Sequence, residues 1–110
     1  MCLSVWIVER NIWKAGIKMK ELKDTIESMN SEDYKERFRA EYYQTKIRYE
    51  KLKKLNNKIE AYNRLEYEKR NITEEPKHDC PVGMLMEQQH IMGNYLHILE
   101  VRAEIEKIKL

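Results

Sequence analysis

From Tyr34 to Tyr62 one helical face is marked at every third or fourth position: Tyr34, Phe38, Tyr42, Thr45, Tyr49, Leu52, Leu55, Ile59 and Tyr62. Spacing that alternates between three and four follows the 3.6-residue period of an α-helix and excludes the two-residue period of a strand. No proline interrupts the run, and the pattern extends toward Arg70, so the spacing predicts one long helix with Asn56-Asn57 as its weakest point. A helix this long carries a seam that a partner must cover, and this constrains the chain more than any other feature.

The rest of the sequence supplies partners. Val5, Val8, Ile12, Ala15, Met19, Leu22, Ile26 and Met29 form a second seam, which loses phase at "MNSEDY". There Asn30 or Ser31 is expected to cap the next helix, with Glu32 and Asp33 at its positive end. A third segment carries Leu85, Met92 and Leu99 in one heptad row, Leu96 and Ala103 in a second, and Met84, Ile91, Ile98 and Ile105 in a third. Together these rows span about 180° of a helical wheel, wider than the roughly 100° stripe that one neighbour covers. Such a helix is expected to have two neighbours: the second helix of its own chain, and either the first helix or a second subunit, with self-association favoured. The expected fold is all-α: an N-terminal helix over residues 1–30 and a long antiparallel helical hairpin over 31–110, forming a homo-oligomer.

Only three glycines and two prolines occur in 110 residues, in keeping with long helices. The net charge is +2, but residues 31–70 hold 12 Lys/Arg against 8 Asp/Glu while residues 71–110 hold 4 against 7. So small a total argues against a general nucleic-acid binder, and the asymmetry fits partner choice and antiparallel pairing of the two segments equally well. The apolar start is interrupted by Glu9 and Arg10, too short for the roughly 20 residues of a membrane span. A cytosolic protein is expected.

"HDCPVGM", residues 78–84, has the most reactive composition. His90 and His97 lie two helical turns apart, roughly 10 Å, too far to share one metal whose bonds to nitrogen are about 2 Å. Cys80 near a helix start has no base or oxyanion site in sequence beside it. The plainer account is a turn, with Asp79 or Cys80 capping a helix whose first turn holds Pro81. No metal, cofactor or catalytic residue is expected, and the chain is not read as an enzyme.

"DYKERFRAEYYQTKIRYEKLKK" offers binding chemistry instead. Aromatic rings stack on bases while guanidinium and ammonium groups hold phosphates. The aromatics on the seam belong to the core, so the residues off it, Arg39, Tyr43 and Lys46, are the better ligand candidates, with Arg48 beside them. Arg102 falls within the apolar arc of the third helix. It needs either a carboxylate partner or an anionic ligand to offset desolvation.

Residues 19–108 resemble a group of small bacteriophage proteins related to a crAss-like phage protein. The likeness rests on "ERFRAEYYQTKIRYEKL", the "CP" that opens helix three and the ending "YLHILEVRAEIE". Members commonly begin at a methionine equivalent to Met19, so residues 1–18 read as an extension or an upstream start, although their heptad stays in phase with 19–29. The layout is also similar to the helical-hairpin sponges of the anti-CBASS class, whose ligand motif is not recognisable here. The resemblance implies a phage-encoded protein in the cytoplasm of an infected bacterium that binds a cyclic di- or trinucleotide immune signal without cleaving it. The alternatives are a helical inhibitor or adaptor that docks on a host defence protein, in the manner of an anti-CRISPR, and a structural oligomeric module.

Overall fold

A computed structural model describes residues 19–110. Most of the expected N-terminal helix, including its seam from Val5 to Ala15, lies outside the described residues. Those residues form a 3-10 turn at Leu22–Thr25, α1 at Ile26–Met29, α2 at Tyr34–Asn63, α3 at Tyr67–Ile72 and α4 at Val82–Glu106, with no strand among them. The fold is all-helical and dominated by two long helices. They divide between two compact units, one made of the described residues up to Ile47 together with Leu96–Leu110, the other of Arg48–Tyr95.

In the first unit the seam of α2 meets the end of α4, so the two segments run antiparallel. Phe38, Tyr42, Leu96, Leu99 and Ala103 are buried, Leu99 to 1% exposure. Tyr42 Oη donates a 2.6 Å hydrogen bond to Glu100 Oε2, and the Arg102 guanidinium lies 4.9 Å from the centre of the Phe38 ring. A second side of α2 is covered as well. Ser28 Oγ donates to Glu36 Oε2 at 3.0 Å, and Gln44 Nε2 donates to Thr25 Oγ1 at 2.8 Å, holding the 3-10 turn and α1 against the helix.

The caps differ in detail from expectation. Asp33, rather than Asn30 or Ser31, begins α2: its carbonyl accepts from Arg37 N and its carboxylate from Lys35 N. Ser31 Oγ accepts from Asp33 N and braces the turn ahead of it. At the other end of the unit, Lys107 takes a left-handed φ of 57°. This lets Ile108 N reach back to the Ala103 carbonyl at 2.8 Å, a Schellman-type closure that also buries the Ile108 side chain.

In the second unit α2 runs unbroken through Asn56-Asn57. The Asn56 side chain is buried and donates to the Leu85 carbonyl at 3.1 Å and to Gln89 Oε1 at 2.8 Å. The helix stops at Asn63, short of Arg70. Arg64 N bonds to the carbonyls of both Glu60 and Ala61, and Leu65 N bonds to Tyr62, tightening the last turn. Glu66 is then extended and starts α3. At the start of α4 the Pro81 carbonyl, not Asp79 or Cys80, accepts the first bonds, from Met84 N and Leu85 N. A His78 ring nitrogen lies 2.7 Å from the Cys80 carbonyl, so the chemically suggestive turn is tied to its own backbone.

The three rows of α4 separate by burial. Leu96, Leu99 and Ala103 face inward, whereas Met84, Ile91, Ile98 and Ile105 are 58%, 58%, 55% and 74% exposed.

Candidate ligand-binding site

Most of the basic, aromatic residues of early α2 have partners within their own unit. Arg39, expected on the open side, is only 3% exposed. Its Nε donates to the Lys109 carbonyl at 2.8 Å, one terminal nitrogen stands 3.5 Å from Glu36 Oε2, and the guanidinium lies 6.0 Å from the centre of the Tyr43 ring. A cation beside the C-terminal end of α4 is well placed against the helix dipole. Tyr43 is also 3% exposed and meets Tyr42 edge to face, with centroids 5.0 Å apart. Burial pushes its phenol above the ordinary tyrosine range, with Arg39 opposing that shift. On the same stretch of α2, Glu36 and Gln44 are the residues that bond to Ser28 of α1 and Thr25 of the 3-10 turn.

Lys46 is half-buried, with its ammonium 5.8 Å from the centre of the Tyr42 ring. Arg102 keeps an exposed guanidinium that is held at 2.7 Å by Glu106. That hydrogen bond raises the arginine further and holds Glu106 below the usual carboxylate range. Arg39, Tyr43, Lys46 and Arg102 thus fall in the first unit. Arg48 belongs to the second unit and is exposed.

The second unit holds a groove of about 500 Å³ lined by Tyr49, Met86, Gln89, His90, Gly93 and Asn94. Gly93 makes it possible. A Cβ there would stand 3.3 Å from Tyr49 Cε1, closer than a packed ring accepts without shifting. Without one, the tyrosine ring lies against the backbone of α4 and forms an aromatic wall. Around it are two carboxamides and an imidazole. Gln89 is steadied by the bond from Asn56, and Asn94 Nδ2 lies 3.4 Å from His90 Nε2.

Sequence reasoning did not reach these residues. Tyr49 fits the seam and reads as core, although the structure leaves it half-buried. The available signal was Gly93 inside a helix, with polar residues on the turn before it and Asn94 next to it. A glycine so placed often marks a close approach. Among the described residues no group of three or more His, Cys, Asp and Glu is arranged to hold a metal. None of the described helices is long and apolar enough to cross a membrane.

A family model described as Sequestin matches residues 32–105. That span takes in all of α2, nearly all of α4 and the groove between Tyr49 and Asn94. No curated protein matches the chain, and neither does any solved structure. The chain belongs to the Sequestin family.

Proposed function

We propose that this Sequestin-family protein is a non-enzymatic binder that sequesters a nucleotide immune signal, in the reading favoured here a cyclic di- or trinucleotide of host antiviral defence. The observation that carries the proposal is the family match across residues 32–105, whose name denotes sequestration. The likeness of residues 19–108 to small phage proteins supports a phage origin related to the crAss-like group, action in the host cytoplasm, and residues 31–110 as the binding domain. Sequestration needs affinity and capacity rather than chemistry, and long helices that present polar and aromatic groups on a fixed backbone suit it.

Arg48 is the leading phosphate contact in this reading because its charge is exposed. Lys46 and Arg102 are further candidates, each partly committed to a neighbour in its own unit. Arg39 and Tyr43 act from the buried side, holding the backbone that presents those cations. The exposed heptad row of Met84, Ile91, Ile98 and Ile105 favours assembly with a second copy, since monomers seldom keep so regular a stripe of large apolar side chains in water. The same row supports the second reading, an inhibitor that docks on a host protein through a helix face.

A thermal-shift panel of cyclic dinucleotides, cyclic trinucleotides and linear controls tests the proposal, followed by heat release and chromatography of whatever stabilised the protein. Stabilisation by one class with the ligand recovered intact is expected. Recovery in altered form would make the protein an enzyme, and no shift across the panel would transfer the assignment to the protein-docking reading. Light scattering separates the two uses of the apolar row: a monomer in solution leaves it for a foreign partner.

A further inference from the structure

The groove beside Gly93 carries more than a general affinity for ligands. Four polar side chains line it, and their commitments are unequal. Gln89 Oε1 is occupied by Asn56 Nδ2 at 2.8 Å, which orients the amide. The Gln89 Nε2 hydrogens then have no protein partner among the described residues. Tyr49 Oη has none either. Asn94 is exposed and its one contact, with His90, is long at 3.4 Å, so a ligand can replace it at little cost. The aromatic wall is therefore flanked by one oriented donor and one free carboxamide.

A carboxamide presents a donor and an acceptor side by side. The complementary edge is adenine's, where N6–H donates and N7 accepts, whereas guanine shows two acceptors on the same edge and calls for arginine or lysine. A tyrosine face adds stacking that any base satisfies. About 500 Å³ also lies within the range of small-molecule sites, roughly 300–1,000 Å³.

We propose that the groove formed by Tyr49, Gln89, Gly93 and Asn94 is an adenine site, and that it holds an adenine base of the sequestered signal. The proposal rests on the nucleotide-binding reading for its biological meaning, but the groove's preference for adenine can be measured separately. Tyr49 stacks on the base, Asn94 pairs with N6 and N7, and Gln89 donates to a remaining ring nitrogen. Gly93 keeps the ring of Tyr49 close enough to α4 for the amides and the ring to reach one ligand.

The test is a titration of the full ¹⁵N-labelled chain with adenosine 5′-monophosphate and, separately, guanosine 5′-monophosphate. Gly93 provides the reporter amide, and Gly83, where an added Cβ would meet nothing within 4 Å, provides the internal control. Adenosine monophosphate is expected to shift Gly93 and leave Gly83 in place, with guanosine monophosphate at least tenfold weaker. Asn94→Ala, a change at an exposed position, is expected to weaken adenosine monophosphate at least tenfold with an unchanged melting temperature. Tyr49→Leu is expected to weaken both nucleotides alike. An unmoved Gly93, or equal response to the two bases, would overturn the adenine site. If the thermal-shift panel still identified a retained cyclic nucleotide, the sequestration reading would survive that failure. A Gly93 shift with no retained cyclic nucleotide would leave the adenine site standing and remove the sponge.

Discussion

The two units use polar side chains in opposite ways. In the unit built from the described residues up to Ile47 with Leu96–Leu110, polar groups are largely answered by protein: Arg39 by Glu36 and the Lys109 carbonyl, Tyr42 by Glu100, Gln44 by Thr25, Arg102 by Glu106. In Arg48–Tyr95 the only buried residues are Asn56 and Ile59, while Tyr49, Gln89 and Asn94 line a groove, and Tyr49 Oη and Gln89 Nε2 have no hydrogen-bond partner among the described residues. One unit has spent its hydrogen bonds on folding. The other leaves several without a protein partner, which is where the proposed adenine site lies. Residues that look most like a binding motif in sequence can thus be the ones the fold consumes, because an arginine or a tyrosine serves a buried network as readily as a phosphate.

The largest expected effect is at the centre of the first unit. Leu99→Ala should destabilise the protein by about 2–5 kcal/mol in chemical denaturation, the usual range for a leucine cavity. Leu55→Ala in the second unit, where that side chain is only half-buried, should lose clearly less. Equal losses would break the contrast. Next comes the pair of arginines. Arg39→Ala should cost about 2–3 kcal/mol, since it removes charge-assisted hydrogen bonds and a buried aliphatic stem. Arg48→Ala should stay within about 0.5 kcal/mol, as for most surface substitutions, and should instead weaken nucleotide binding. Asn56→Ala should lose roughly 1–2 kcal/mol and also loosen Gln89, so adenosine monophosphate affinity falls along with stability.

Much of this was legible in the sequence. The three rows of α4 can be read directly, and two of them supply Leu96, Leu99 and Ala103 to the core; which rows would be covered could not be read. The seam of α2 holds at Phe38, Tyr42 and Ile59. Burial of Arg39 and Tyr43 was not legible, because the spacing of α2 places both off its seam, while Arg39 is answered by the Lys109 carbonyl near the far end of the sequence. The end of α2 at Asn63 was missed for a related reason: apolar spacing continues past it through Leu65, and only the tightened hydrogen bonds reveal the stop. The groove was hidden because Tyr49 obeys the seam and because a glycine in a helix has no side chain to declare its role.

Smaller effects sharpen the same contrast. Gly83→Ala meets open space and should stabilise the protein by up to about 1 kcal/mol through helix propensity. Gly93→Ala gains the same propensity but presses on Tyr49, so its net effect should be smaller and nucleotide binding should drop. A comparison of melting temperature and affinity for the two variants checks both halves. The smallest effect concerns Glu106. Its folded carboxyl is depressed chiefly by the hydrogen bond from Arg102. Its contribution is therefore complete above the unfolded carboxylate value of about 4.3 and is lost as pH falls through the lower folded value. Arg102→Ala should move the NMR titration of Glu106 upward and flatten the acid limb of the stability profile.

Asn56 has one more consequence. Its amide nitrogen is answered by one backbone carbonyl and one side chain, at Leu85 and Gln89, set one helical turn apart on α4, while its buried Oδ1 has no hydrogen-bond partner among the described residues. A slide of α4 along this part of α2 by one turn, about 5.4 Å, would strand a buried donor and forfeit roughly 1–3 kcal/mol. Apolar neighbours of similar size would tolerate such a slide, because leucine and methionine pack adaptably. A single polar residue therefore sets the register of this helical pair, and with it the alignment of Tyr49 opposite Gly93 on which the groove depends.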